Sequence, residues 1–447
     1  MRLLYRRWAA NWPLAAPVVA CLLMQWPVPA AAQSLGELYD AARSFDATIL
    51  SARALAQSAE FRVAQFEALA RPSAAATAGV STAQTDVPKS DFRGSTGANG
   101  AITGRFPIFN RFNTVVIEQA RKTLGSAEAD LEAAEQDLIL RVSQAYFEVL
   151  GAQDTVATTR ASKTAITEQL ASAKRNFEVG TATITDTREA QARFDLATAQ
   201  GIAADNDLRT KRIALDTLVG RTDVTPNPLV TLQLPPVVPP NPENWVTVAD
   251  QQHPAVRRAR VGLEVAALES AKARALELPT LDAVASLSGS DLRGSLPNIG
   301  RGAVSAIASV GVQMNWTLYN GGSTQARIRE TLSLEEKSRN DLEAARRAVA
   351  QNTRQAFYGV QSGRAQVLAL EAAEASSKLA LEATQLGYRV GVRVNLDVLN
   401  SQTQLFTTQR DLAQARYNVV LGGLRLRQAS GQLAPADVAA VNRLLQP

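Results

Sequence analysis

Two aspartates occupy the same place in two related decapeptides. Residues 177 to 186 read FEVGTATITD and residues 388 to 397 read YRVGVRVNLD, so Asp186 and Asp397 each end a segment that starts with an aromatic residue and carries Val-Gly near its middle. A carboxylate in such a place can cap a helix or pair with a cation. Asp186 stands three residues before Glu189, the spacing of a capping box. Arg393 is the nearby cation, and an exposed pair of this kind is worth about 0–1 kcal/mol.

Other chemistry is scarce. His253 is the only histidine and Cys21 the only cysteine, so zinc sites built from His and Cys, Ser/His/Asp triads and Cys/His pairs all lack side chains. A carboxylate hydrolase would need paired acids converging in a pocket, which helix-seam spacing does not supply. No strand-to-helix phosphate loop is found either. The expectation is a protein without enzymatic activity, cofactor or metal, in which His253, ahead of Pro254 at a helix start, has no chemical role.

The elements that must hold the two decapeptides come in two copies. One common offset relates Phe177 to Tyr388, Val179 to Val390, Gly180 to Gly391 and Asp186 to Asp397, and it also relates Tyr146 to Phe357 and Gly220 to Gly431. Shared spacing across separate segments indicates an internal duplication and a pseudo-symmetric fold. The first copy is expected over 33–225 and the second over 243–431. A linker over 226–242 joins them within a stretch holding seven prolines, and a tail follows over 432–447.

Residues 1–32 read as a signal peptide: Arg2, Arg6 and Arg7, an apolar run from Leu14 to Met24, then Ala30, Ala31 and Ala32. Cleavage would leave Gln33 first and no thiol at all. Lipidation at Cys21 is the alternative reading of Val18 to Cys21. The net charge of +5 drops by three when the leader arginines go, and the remaining basic side chains alternate with Glu and Asp, which speaks against nucleic-acid binding.

Within each copy the pattern changes from helical to alternating and back. A helix over 34–70 precedes a strand pair over 73–109, and a second pair follows over 280–319. From Val304 to Leu318 every even position is apolar, while Ser305, Ser309, Gln313 and Asn315 lie between them. Such alternation, with Phe106, Phe109, Trp316 and Tyr319 as an aromatic band, fits either a membrane barrel or a soluble hairpin with one buried face; small residues on the other face and the export signal favour the barrel. Four strands cannot close in lipid, where open edges leave N–H and C=O groups unpaired. Three copies would give about 12 strands, within the range of membrane barrels, so a homotrimer is expected.

Long helical hairpins are expected over 110–220 and 320–430. Ile117, Leu124, Leu131, Leu138 and Ala145 recur every seven residues, and Gly151 is expected to slacken the helix. Val179-Gly180 and Val390-Gly391 are the turns, where glycine permits a tight reversal.

Signal peptide, helix, strand pair, hairpin with a Val-Gly tip followed by Asp, proline-rich linker and a second copy ending in YRVGVRVNLDVLNSQTQL together resemble the TolC family of outer-membrane efflux and secretion channels. The resemblance implies a mixed α and β membrane protein, a trimeric 12-stranded barrel with four strands per chain, continued by an α-helical coiled-coil tunnel across the periplasm. It also implies partners: a periplasmic adaptor (membrane fusion) protein docking at Val179, Gly180, Val390 and Gly391, an inner-membrane ABC or proton-driven transporter, and outer-membrane lipid. By the same resemblance, Asp186 would be bonded by Tyr388 and Arg393 in a closed gate. Asp397 would form a charge ring at the constriction, and Asn400 stands where a second aspartate would be expected, weakening cation binding there. The alternative function is a periplasmic or secreted coiled-coil scaffold with soluble hairpins.

Overall fold

The computed structural model describes residues 33–85, 93–230, 236, 238–294 and 303–445; the leader with Cys21, and residues 86–92 inside the first expected strand pair, lie outside these residues. The helix expected over 34–70 is two helices, α1 (Leu35–Phe45) and α2 (Ala47–Glu67), followed by a 3-10 turn over Ala68–Ala70. Asp46 makes the break. Its extended backbone ends α1, and its carboxylate accepts from the Thr48 and Ile49 N–H groups at 3.1 Å each to start α2. The same carboxylate takes a two-pronged bond from Arg141, at 2.9 and 3.0 Å.

Strands β1 (Ser73–Thr85), β2 (Arg93–Phe109), β3 (Thr280–Gly294) and β4 (Ala303–Asn315) form one antiparallel sheet in the order β1-β2-β3-β4. Register puts the apolar parities together: Ala76 faces Ile102, Ile102 faces Leu287, and Leu287 faces Ala308. On the other face Ser286 and Ser309 share a hydroxyl bond of 2.7 Å, as do Ser290 and Ser305 at 2.8 Å. Phe106 and Phe109 differ in parity, yet both join the apolar face. A bulge between Pro107 and Phe109 inserts Ile108, so that Phe106 pairs with Ala283 and Phe109 with Leu281. The bulge also accommodates a proline in an interior strand, where its missing N–H would otherwise break the ladder. β4 stops at Asn315, short of the expected 319, because its partner Thr280 is the first residue of β3 and nothing remains for Trp316 to Tyr319 to pair with.

Helix α3 (Arg111–Glu178) leaves the sheet after the Asn110 cap, α4 (Ile184–Val219) returns, and the second copy repeats this as α7 (Ser323–Arg389) and α8 (Asn395–Ala429). With 68 residues and about 1.5 Å each, α3 is about 100 Å long. It runs unbroken through Gly151. Gly151 faces α8, where a Cβ would lie 2.8 Å from the movable end of Gln414 and 3.8 Å from the Tyr417 ring.

Helices α5 (Pro242–Gln252) and α6 (Pro254–Ala275) lead into β3, and the tail forms α9 (Pro435–Asn442). The main core lies where the first and last described residues meet the start of the linker. Tyr146 of α3 donates to Asn227 O at 2.9 Å; Gln33 bridges Pro226; Leu229 bridges Leu445; and Leu35 N–H donates to Asn442 Oδ1 at 3.0 Å. Around these bonds, Leu38, Leu138, Phe147, Leu215, Leu424 and Val441 are buried in one cluster. Burial of such side chains contributes about 1.5–3 kcal/mol each.

Bonding to Arg141 holds the Asp46 carboxyl below its ordinary value of 3.8, against the opposing effect of burial. A carboxyl with a depressed folded-state pKa contributes stability that is present above the unfolded value and lost as pH falls through the folded one. Asp46→Asn keeps a capping oxygen and removes the charge. It should cost about 1–3 kcal/mol at neutral pH, and denaturant unfolding at stepped pH should show the gap to wild type closing below about pH 3.8.

Candidate functional site

The two hairpin tips are built alike. Val179 and Val390 end their helices, and Gly180 and Gly391 follow with φ of 78° and 80°, a left-handed conformation that costs glycine nothing. Thr181 N–H then donates to Asn176 O at 2.8 Å and Val392 N–H to Gly387 O at 2.9 Å, closing the last turn of each helix. The turns leave apolar side chains in solvent: Val179 is 73% exposed, Val390 65% and Val392 76%.

Helix starts differ between the tips. In the first, Thr183 caps α4 and Asp186 answers it: Asp186 N–H donates to Thr183 Oγ1 at 3.2 Å, while Thr183 N–H and Oγ1–H donate to Asp186 Oδ2 at 2.9 and 2.8 Å. Asp186 is therefore the inner member of a capping box, and the Asp186–Glu189 spacing is not the box. In the second, Val394 has no side-chain oxygen. Only its N–H donates to Asp397 Oδ2, at 3.4 Å, and Arg393 Nη1 stands 3.6 Å from the same oxygen. The arginine stem lies over Gly387, where a Cβ would come within 2.8 Å of Arg393 Cγ.

Of the expected gate residues, the structure thus brings Arg393 to Asp397. Within one chain, and among the described residues, Asp186 bonds neither Tyr388 nor Arg393. Tyr388 instead accepts from Asn176 Nδ2 at 3.1 Å. Asn400, the other expected constriction residue, accepts from Arg193 Nη2 at 2.9 Å. Gln169 donates to Asn395. These bonds cross from one hairpin to the other, and Leu399 of α8 lies fully buried against Ile166, Leu170, Ala173, Ala190 and Ala197 of the first hairpin. Asn395 Nδ2 and Gln402 Oε1 are buried at the same end of α8 with no partner.

Asn176, Gln169 and Arg193 were not singled out by sequence reasoning. Asn176 carried a weak signal, since it immediately precedes Phe177 just as Gly387 precedes Tyr388. The other two belong to no repeated motif.

Higher up, Tyr417 of α8 donates to Asp154 of α3 at 2.5 Å. Burial pushes the Asp154 carboxyl above its usual range, and burial together with this bond pushes the tyrosine hydroxyl up as well. The contact adds to the polar ties between the copies, well away from the tips.

The family described as outer membrane efflux protein matches residues 38–221 and 245–432. The chain is 32% identical over 417 residues to outer membrane protein TolC of Vibrio cholerae, covering 92% of this chain and 93% of that one. It is 34% identical over 310 residues to the alkaline protease secretion protein AprF of Pseudomonas aeruginosa, covering 68% and 64%. Its fold matches the crystal structure of the CmeC outer membrane channel of Campylobacter jejuni with a TM-score of 0.77 at 16% identity, covering 98% of each.

Leu399→Ala should open the seam between hairpins by about 2–5 kcal/mol, the usual cost of emptying a packed leucine site. Amide hydrogen exchange in the first turns of α8 should accelerate at least about tenfold, while exchange around Leu138 in the main core should not change.

Proposed function

The chain belongs to the outer membrane efflux protein family, and from that premise we propose that three copies form one passive duct opened at its hairpin tips. The protein is an outer-membrane channel of the efflux and secretion type. The observation that carries the trimer is the four-stranded sheet whose two outer strands, β1 and β4, have no partner on one side among the described residues, while one face is apolar from the helical end through Val80, Ile102, Leu287 and Val310 and turns polar only beyond, at Thr82, Thr96 and Asp291. In a bilayer those edges need partners, and β1 of one copy can pair with β4 of the next. Three sheets supply about 12 strands, a size at which membrane barrels close.

No nucleotide-binding or catalytic constellation is needed for such a duct. Energy comes from an inner-membrane transporter, coupled through a periplasmic adaptor that docks on the exposed valines of the tips. The relatives' names include both efflux and protease secretion, and cargo is selected by the transporter.

For the gate, Asp186 bonds Thr183 through Oδ2 alone, which leaves Oδ1 for an arginine of a neighbouring copy. Arg393 is 62% exposed and tied to Asp397 only loosely. The Asp397 carboxylates of three copies would face one another at the narrow end and favour cations. Weak exposed pairs suit a closure that a partner must undo. The unpartnered Asn395 and Gln402 groups lower the cost of separating the hairpins further, since their desolvation is not repaid in the closed packing.

Two experiments test this reading. A charge on the outer face of the sheet costs about 2–4 kcal/mol near the bilayer midplane. Val310→Arg should therefore abolish trimers in the outer membrane, whereas Gly311→Arg, one residue on and facing inward, should be tolerated. Release of the wild-type protein by osmotic shock would instead favour the scaffold. In planar bilayers, Asp186→Ala or Arg393→Ala should raise single-channel conductance. Thr183→Ala, which breaks the same capping box but keeps the carboxylate, should leave it near wild type. Unchanged conductance in both charge variants would remove Asp186 and Arg393 from the gate.

A further inference from the structure

The inner face of the sheet carries one charge pair at its helical end. By register, this face comprises the odd positions of β1 from Ser73 to Ala83, of β2 from Ser95 to Arg105 and of β4 from Ala303 to Asn315, with the even positions of β3 from Thr280 to Leu292. Along those stretches the residues are small, polar or aliphatic except for Arg105 and Asp282.

The two side chains meet across neighbouring strands. Arg105 is directly opposite Val284 and Asp282 opposite Pro107, so Arg105 reaches along the diagonal to place Nη2 at 2.6 Å from Asp282 Oδ2. Their exposure is unequal. The arginine side chain is 60% exposed and that of the aspartate 9%. The second carboxylate oxygen, Oδ1, is buried without any partner. Asp282 is thus withdrawn behind the guanidinium, and what solvent meets on this face is positive charge.

The height of the pair is fixed by connectivity. Asp282 is the third residue of β3, just after α6, and Arg105 lies just before the bulge that ends β2 ahead of α3. The pair therefore sits at the helical end of the sheet, where a barrel would pass into the tunnel. A buried acid with one oxygen bonded to an arginine and the other unpartnered is poor design for a strand staple alone, because two serines in register would hold the strands without desolvating a charge.

We propose that Arg105, positioned by Asp282, is a selectivity determinant of the barrel, forming a positive belt that attracts anionic passengers at the junction of barrel and tunnel. The inference rests on the trimeric channel reading and extends it to a level far from the tips. Its sign is opposite to that of Asp397. A duct with carboxylates at its entrance and guanidinium groups above draws an anionic passenger forward once the entrance has opened, since rings of charged side chains set which ions dwell in a pore.

The test uses purified full-length protein in planar bilayers, with blockers added from the barrel side, because the reversal potential is governed by the narrow tips. Oligoglutamate and citrate serve as polypeptide and small-molecule anions, and oligolysine as the cationic control. Arg105→Gln should weaken block by oligoglutamate, citrate or both at least about fivefold, the effect of losing roughly one ion contact in water, and should leave oligolysine block equal or stronger. Arg105→Lys should restore anion block to within about twofold, although its fork geometry is lost. Dependence on Arg105 for one anion only would identify the passenger class. Conducting Arg105→Gln channels blocked as wild type by both anions would overturn the proposal, as would reduced trimer yield in Arg105→Gln and Asp282→Asn with block unchanged, which marks a purely structural pair. Absence of any wild-type channel would instead remove the channel reading itself, and this inference with it.

Discussion

A backbone amide in hydrocarbon has no water to turn to, and that constraint governs this protein. Inside the sheet the three ladders satisfy every interior strand, but the outer edges of β1 and β4 remain open in a single chain. Closing them requires further copies, and further copies require helices long enough and straight enough to continue the wall. The sheet's incompleteness therefore propagates into everything below it. The long α3 and α7 helices carry only a narrow buried stripe each, because much of their surface remains for neighbours.

Duplication supplies the two hairpins, but the copies are not used alike. Both contribute to the main core, the first through Leu138, Phe147 and Leu215 and the second through Leu421 and Leu424 of α8, while α7 supplies no buried residue to it. At the tips the divergence is chemical. The first has a complete reciprocal cap through Thr183 and Asp186, and the second substitutes valine for the capping residue and an arginine for the missing bond. A tight tip and a looser one result from nearly the same backbone.

Much of this was legible in the sequence because the physics repeats. Period-two alternation marked the strands, proline-free heptads marked the long helices, and Val-Gly marked both turns, since only glycine takes the left-handed conformation there without strain. What escaped detection depends on tertiary contact. The break at Asp46 is set by Arg141 as much as by local propensity. The bulge at Ile108 is invisible to any parity count and yet decides which face Phe109 joins. The α9 helix has no seven-residue pattern, being a single short element whose Val438 and Val441 find their partners in α1 and α3. Gln169 and Arg193 act across hairpins, with no spacing to betray them.

The bonds at the waist have a consequence for the order of events in the cell. Gln33 bridges Pro226, and Leu229 bridges Leu445, so the first described residues, the middle of the chain and the last described residues are sewn into a single patch. A polypeptide delivered amino end first cannot finish that patch until its final segment has arrived. Whatever helices form earlier, this patch closes only once Leu445 is there to meet Leu229.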